Sequence, residues 1–269
     1  MHARHRYAIL RLSMAGTLIL GAMPSEVVSV ESELTRPSRG TLECYPYAKG
    51  RLGKRSVVVA VTGVGISAAA MVSALFIHRF KPDELIFTGS GARLDPEIRT
   101  GDIIVAERTA HHNAGNWTDS GMVYRKVRGP LKGQMIPYQF RPDRRLLRIA
   151  KQAMTDFHQK PIQVQGRSYL PIVRVGRVAS GDVFGVPPKK IDDIRAKLGA
   201  HLIEMESAAA AQVCWQLDVP HLIIRSGSNL AQPDPGGDYR ALGQIAAHQA
   251  ARFTVHFVKK LAISKSDLQ

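Results

Sequence analysis

The chain has 269 residues, 45% of them hydrophobic, which is enough to bury one sizeable core. Its two cysteines, Cys44 and Cys214, fit neither a metal-ligand spacing nor a disulfide framework and read as reduced packing residues, and no apolar run is long enough to cross a bilayer. Lysine and arginine total 37 against 22 aspartate and glutamate, a formal charge of +15, but no aromatic residues interleave with the basic clusters as stacking platforms would require. Those clusters, Arg141, Arg144, Arg145, Arg148 and Lys151, then Lys189, Lys190, Arg195 and Lys197, read as solvated faces of two helices, and no nucleic-acid partner is expected.

At the start, His2, Arg4, His5 and Arg6 precede the apolar Tyr7-Ala8-Ile9-Leu10 as a secretory signal would, but Arg11 interrupts the run. Thr17 to Leu20 are needed as a first strand, near 17–21. Residues 1–14 therefore read as an extension, with Met14 a possible working start, and 15–269 as one domain. A cytoplasmic location is expected in preference to secretion. The strand runs into Gly21-Ala22-Met23-Pro24-Ser25-Glu26, a turn that carries one carboxylate.

A β-branched strand near 56–62 is followed by Gly63-Val64-Gly65-Ile66-Ser67-Ala68, which opens a helix near 66–79 and matches the dinucleotide fingerprint G-x-G-x-x-A. That fingerprint also wants an acidic residue at the carboxyl end of the next strand. The next strand, near 84–89, instead has Asp83 and Glu84 at its start, so the glycines read as a tight turn with backbone close to a sugar or base. Thr88-Gly89-Ser90-Gly91-Ala92 is a second glycine turn at the strand end where open α/β sheets bind ligands.

After a strand near 102–106, the polar segment from His111 to Pro142 reads as a long lid or partner-binding loop, with His111 and His112 on its surface. A helix near 143–157 and a strand near 172–179 lead to Ser180-Gly181-Asp182-Val183-Phe184, and a helix follows near 188–198. Glu204-Met205-Glu206 then places a carboxylate pair at the start of a helix near 207–217. A strand near 220–225 ends in Arg225-Ser226-Gly227-Ser228-Asn229. Leu242, Ile245, Ala246, Phe253, Phe257, Val258 and Leu261 recur at helical spacing in a last helix, near 239–261, that reads as scaffold. Short apolar strands alternating with helices predict an α/β fold, a three-layer αβα sandwich around a mixed, largely parallel sheet.

Four stretches, Gly21-Ala22-Met23 with Glu26, Thr88-Gly89-Ser90, Ser180-Gly181-Asp182-x-Phe184 and Glu204-Met205-Glu206, occur in the order and approximate spacing of the purine nucleoside phosphorylase/hydrolase family. The chain resembles its methylthioadenosine/S-adenosylhomocysteine nucleosidase branch over roughly residues 15 to 262. That resemblance implies a homodimeric hydrolase of a purine nucleoside, without cofactor or metal. Glu26 would activate water, Ser90 would position it, and Glu206 would hold two sugar hydroxyls and favour the positive charge growing on the ring. Met205 and Met23 would pack on the sugar and Phe184 on the base, with Gly91, Gly185, Glu204 and Ser228 completing the binding set.

One departure limits the transfer. Where the family has an Asp that handles the leaving base, this chain has Asn229, whose neutral amide has no acidic proton to release near pH 7. A 6-oxopurine would tolerate that better than adenine. The arginines that cradle phosphate in phosphorolytic relatives are missing from both glycine turns, so water is the expected nucleophile. A 6-oxopurine or unusual-nucleoside phosphorylase and a non-catalytic nucleoside-binding or storage relative are the alternatives.

Overall fold

The computed structural model describes residues 16–232 and 236–264, so the expected N-terminal extension and its Met14 lie outside the described residues. In chain order the elements are β1 (Thr17–Gly21), α1 (Pro24–Glu31), β2 (Thr35–Leu42), β3 (Tyr45–Leu52), β4 (Arg55–Val61), α2 (Ile66–Phe80), β5 (Glu84–Arg93) and β6 (Ile103–His111). Five short strands follow, β7 (Gly115–Thr118), β8 (Gly121–Tyr124), β9 (Val127–Arg128), β10 (Met135–Ile136) and β11 (Gln139–Phe140), then α3 (Arg144–Thr155), β12 (Ile162–Val164) and β13 (Arg167–Tyr169). The chain continues through β14 (Val173–Ser180), α4 (Pro188–Leu198), β15 (Leu202–Glu204), α5 (Ser207–Leu217), β16 (His221–Leu230) and α6 (Gly236–Ser264).

Ten strands form one sheet in the order β11, β6, β14, β15, β5, β1, β4, β3, β2, with β16 pairing both β5 and β6. The pairs β1–β4, β1–β5, β6–β14, β14–β15 and β5–β16 are parallel, while β15–β5, β16–β6, β11–β6 and the β2–β3–β4 run are antiparallel. The central strands are apolar throughout because both faces are covered. Successive residues of one strand point to opposite faces, and the core divides accordingly. Ile19, Val57, Val59, Ile86, Leu222 and Ile224 pack with α1, α3 and α6, whereas Leu18, Leu20, Val58, Leu85, Phe87 and Ile223 pack with α2 and α5. The result is the expected mixed α/β architecture with helices on both faces.

Several expectations are corrected. The segment 111–142 is no open loop: it folds into the β7–β8 and β9–β10 hairpins and returns along β6 as β11. Gly129 and Gly133 lie in the connection of the β9–β10 hairpin, whereas Gly115 and Gly121 begin β7 and β8. The β2–β3 hairpin escaped the sequence reading because the residues of β2 are mostly exposed and lack an apolar alternation. Helix α1 escaped it too, being two turns long; it starts on Pro24, a residue whose fixed φ suits the first helical position. Thr88 to Ala92 is likewise not a turn but the continuation of β5, held by parallel pairing to β16 as far as Gly91 and by antiparallel pairing of Ala92 to Ile203. Asp83 and Glu84, at the opposite edge of the sheet, bind Arg55 at 2.8 Å and 2.5 Å, and Glu84 also takes Arg145 at 3.1 Å. Of the cysteines, Cys214 is buried, but Cys44 is exposed at the β2–β3 turn.

Candidate active site

The carboxyl ends of β1, β5, β15 and β16 open onto one pocket of about 770 Å³, counting its open mouth, a size suited to a small molecule. Its walls include Glu26, Met23, Ser90, Gly91, Phe184, Gly185, Glu204, Met205, Glu206 and Asn229. Of the residues expected at the site, Ser228 alone is absent from the wall; it stands behind Asn229. Tyr239, from the first turns of α6, completes the lining.

Glu26 sits one turn into α1, 1% exposed, and its carboxylate is held from two directions. Oε2 accepts the N–H of Ala22 at 2.7 Å and of Met23 at 3.3 Å, while Oε1 accepts the N–H of Ser90 at 2.8 Å and its hydroxyl at 3.0 Å. The three backbone donors are fixed by the β1–α1 turn and by β5. The Ser90 hydroxyl alone can rotate away, so it is the partner a water molecule would replace.

Glu204 ends β15, and Glu206 is the residue immediately before α5. Glu204 accepts the hydroxyl of Ser180, the N–H of Ser207 at 3.0 Å and the Ser207 hydroxyl at 2.9 Å, so it satisfies helix N-terminal donors and has little freedom to bind a ligand. Glu206 turns the other way: Oε1 accepts the N–H of Gly65 at 2.9 Å. The start of α2, where the glycine fingerprint would have bound a pyrophosphate, is thereby filled by protein carboxylates. Glu206 takes Gly65 N–H, and Asp182 takes Ile66 N–H at 2.7 Å. Gly65, at φ +102°, leaves no room for a side chain, since a Cβ would stand 2.9 Å from Asp182 Oδ1. Asp182 is therefore a tie between two loops.

The central feature of the site is Arg225, fully buried on β16 and absent from the expected site residues. Its guanidinium lies 3.6 Å from Glu26 Oε1 and 3.1 Å from Glu206 Oε2, and also binds Glu204. It donates to Ser207 Oγ at 3.0 Å and to the Ser90 carbonyl at 3.1 Å, with its face over Phe87. Gly89 lets β5 pass this group, since a Cβ there would stand 2.3 Å from Arg225 Nη1. Three carboxylates around one cation leave the cluster short of positive charge. Burial raises the Glu206 carboxyl to about 8, Glu204 adds to the push, and Arg225 opposes it. An arginine inside an otherwise apolar strand was the signal in the sequence, because such a charge is buried only with partners.

Asn229 lies where the β16 pairing with β5 slips between Gly227 and Leu230, and this irregularity turns the side chain into the pocket. It is 1% exposed. Oδ1 accepts the Ser228 hydroxyl at 3.0 Å, and Nδ2 donates to the Leu230 carbonyl at 2.8 Å, so one amide proton and one lone pair remain for a ligand. Phe184 is more than half exposed at the mouth, its ring edge-on to Tyr239 at 5.6 Å. His111 and His112, expected on the surface, are buried behind Ser180 and Gly181. His111 meets Gln212 at 3.0 Å, and burial lowers both imidazoles. Arg93 donates to the Ile98 carbonyl at 3.2 Å, outside the pocket lining.

Residues 17–259 match the sequence profile of the phosphorylase superfamily. The chain belongs to that superfamily. It is 32% identical over 244 residues to a 5′-methylthioadenosine/S-adenosylhomocysteine nucleosidase of Tolumonas auensis, covering 90% of this chain and 98% of the relative. Among solved superfamily structures, the Neisseria meningitidis nucleosidase of the same name, in complex with methylthio-immucillin-A, superposes with a TM-score of 0.78 at 28% identity, over 91% of this chain and 98% of that one. The Streptococcus pneumoniae nucleosidase with the transition-state inhibitor MT-ImmA gives 0.78 at 26% identity, over 92% and 100%.

Proposed function

We propose that this superfamily member is a nucleosidase that hydrolyses the N-glycosidic bond of a purine nucleoside, with methylthioadenosine-like nucleosides as its reference substrates. One observation carries the mechanistic reading: Glu26 and Glu206 face the same pocket and share one buried guanidinium. Water held by Glu26 and Ser90 attacks C1′, and Glu26 takes its proton. The C1′–N9 bond breaks with its electron pair going to the base. Glu206 binds neighbouring sugar hydroxyls and stabilises the positive charge that spreads over the ring as the bond lengthens. Met205 and Met23 line the sugar, and Phe184 covers the base.

The base must also be protonated if adenine is to leave neutral. Asn229 donates a hydrogen bond to the base edge but releases no proton, so N7 takes its proton from solvent at a cost of about 10²–10⁴-fold in rate. A 6-oxopurine spreads the departing electron pair onto O6 and loses less. Phosphate is disfavoured as nucleophile, because no lysine, arginine or histidine lines the pocket among the described residues and the approach to C1′ is flanked by Glu26.

The protein is further proposed to be a homodimer. Met71 on α2 and Trp215 and Leu217 on α5, two helices that pack together on one face, are exposed apolar side chains that a second copy would cover. Two unpaired cysteines agree with a cytoplasmic location, and no helix among the described residues is long and apolar enough to cross a membrane. The activity is tested with methylthioadenosine, S-adenosylhomocysteine, adenosine and inosine, each with and without phosphate. Base release independent of phosphate is expected. Release that requires phosphate would make the protein a phosphorylase, and binding without release would make it a non-catalytic relative. Light scattering at several concentrations tests the dimer.

A further inference from the structure

Tyr239 was outside the expected site, in a helix that read as scaffold, yet it forms a pocket wall. Its ring stands perpendicular to that of Phe184 at 5.6 Å, and its hydroxyl donates to Met23 Sδ at 3.6 Å. A thioether is a weak acceptor, and the Ser90 side chain is the other hydrogen-bonding group within reach of this hydroxyl. Burial holds the phenol above its ordinary value, with Ser90 opposing the shift, and the group stays an O–H donor throughout the neutral range.

The stereochemistry of a β-nucleoside says what it faces. The base and C5′ lie on one face of the furanose, and the 2′ and 3′ hydroxyls and the incoming water lie on the other. With Glu206 on the diol, Glu26 and Ser90 on the water and Phe184 on the base, the sugar substituent left without a polar partner is the one on C5′. Beside the sugar, Met23 and Tyr239 are a sulfur and a phenol in contact with each other, and Tyr239 and Ser90 carry the hydroxyl side chains of the pocket lining among the described residues.

We propose that the Tyr239 hydroxyl is a specificity-determining group that hydrogen-bonds an oxygen on C5′, so that the site takes nucleosides with a free 5′ hydroxyl as well as 5′ thioethers. This assignment rests on the reading of the pocket as a nucleoside site. With an oxygen at C5′ the phenol exchanges the Met23 sulfur for a stronger acceptor; with a thioether it exchanges one sulfur for another and gains nothing.

The test is the ratio of kcat/KM for adenosine to kcat/KM for methylthioadenosine, in wild type and in Tyr239→Phe, which removes only the oxygen. The ratio is expected to fall about three- to tenfold, the worth of one ordinary hydrogen bond, with the change in KM. Tyr239→Leu, which removes the ring as well, should weaken both substrates and lower the ratio similarly. An unchanged ratio in Tyr239→Phe would overturn the assignment. If neither nucleoside is turned over, calorimetric affinities for the same pair replace the rates. A shifted affinity ratio then supports Tyr239, an unshifted one overturns it, and no binding of either nucleoside overturns the nucleoside-site reading and the assignment with it.

Discussion

Glu26 and Glu206, one on the first helix and the other at the start of α5, reach the same arginine: Glu26 lies 3.6 Å from Nη1 of Arg225, and Glu206 lies 3.1 Å from Nη2. The two carboxylates proposed to activate water and to hold the sugar are thereby fixed relative to each other through one side chain that does not line the pocket itself. Arg225→Gln should leave buried carboxylates without their cation, a change that costs about 3–5 kcal/mol in comparable buried pairs. Urea unfolding should show that loss, and kcat/KM should fall well beyond what the residual folded fraction explains. A variant that folds as stably as wild type would show that the cluster is held by something else.

Asn229→Asp should increase adenine release. The geometry favours an acid there, because Nδ2 of Asn229 donates to the Leu230 carbonyl, and an aspartate oxygen in that place must carry a proton to face a carbonyl. The gain expected is about 10²–10⁴-fold on methylthioadenosine, the range of general-acid catalysis, with a smaller gain on inosine. Equal rates for wild type and variant on both substrates, measured by base release, would remove Asn229 from the account of the leaving group.

In its proposed role Glu206 has to be ionised to accept hydrogen bonds from two hydroxyls, and burial together with Glu204 raises its carboxyl to about 8 in the free protein. The profile of kcat/KM should therefore climb with pH up to about 8, where an exposed glutamate would give no such limb. The same shift makes the folded protein bind a proton that the unfolded chain has released above about pH 4.3. Its contribution to stability is complete below that value and is lost as pH rises toward 8. Glu206→Gln should flatten both the activity limb and the pH dependence of Tm across this window. A limb that persists in the variant belongs to another group.

The alternation of apolar runs and helices made the sheet legible, since strands covered on both faces are written as continuous β-branched stretches. That Glu26, Ser90, Phe184 and Glu206 share one pocket wall could be anticipated from the order and spacing of short motifs. Arg225 was visible as a residue but not as a site, because its role depends on three partners brought from distant parts of the chain. Tyr239 was hidden by a helical pattern that describes the buried face of α6 and says nothing of the turn that reaches the pocket. The β2–β3 hairpin, mostly exposed, left no periodic trace at all.

The most direct measurement is the rate of free-base release from methylthioadenosine in phosphate-free buffer by wild type and by Glu26→Gln. The substitution keeps the shape of the side chain and, with its oxygen on Ser90, turns an amide nitrogen toward the N–H of Ala22 while removing the proton acceptor. Release by wild type that phosphate does not accelerate, and a kcat about 10²–10⁴-fold lower in the variant with KM little changed, is the predicted result. Equal rates in the two proteins, or release by wild type only when phosphate is added, would contradict hydrolysis driven by Glu26.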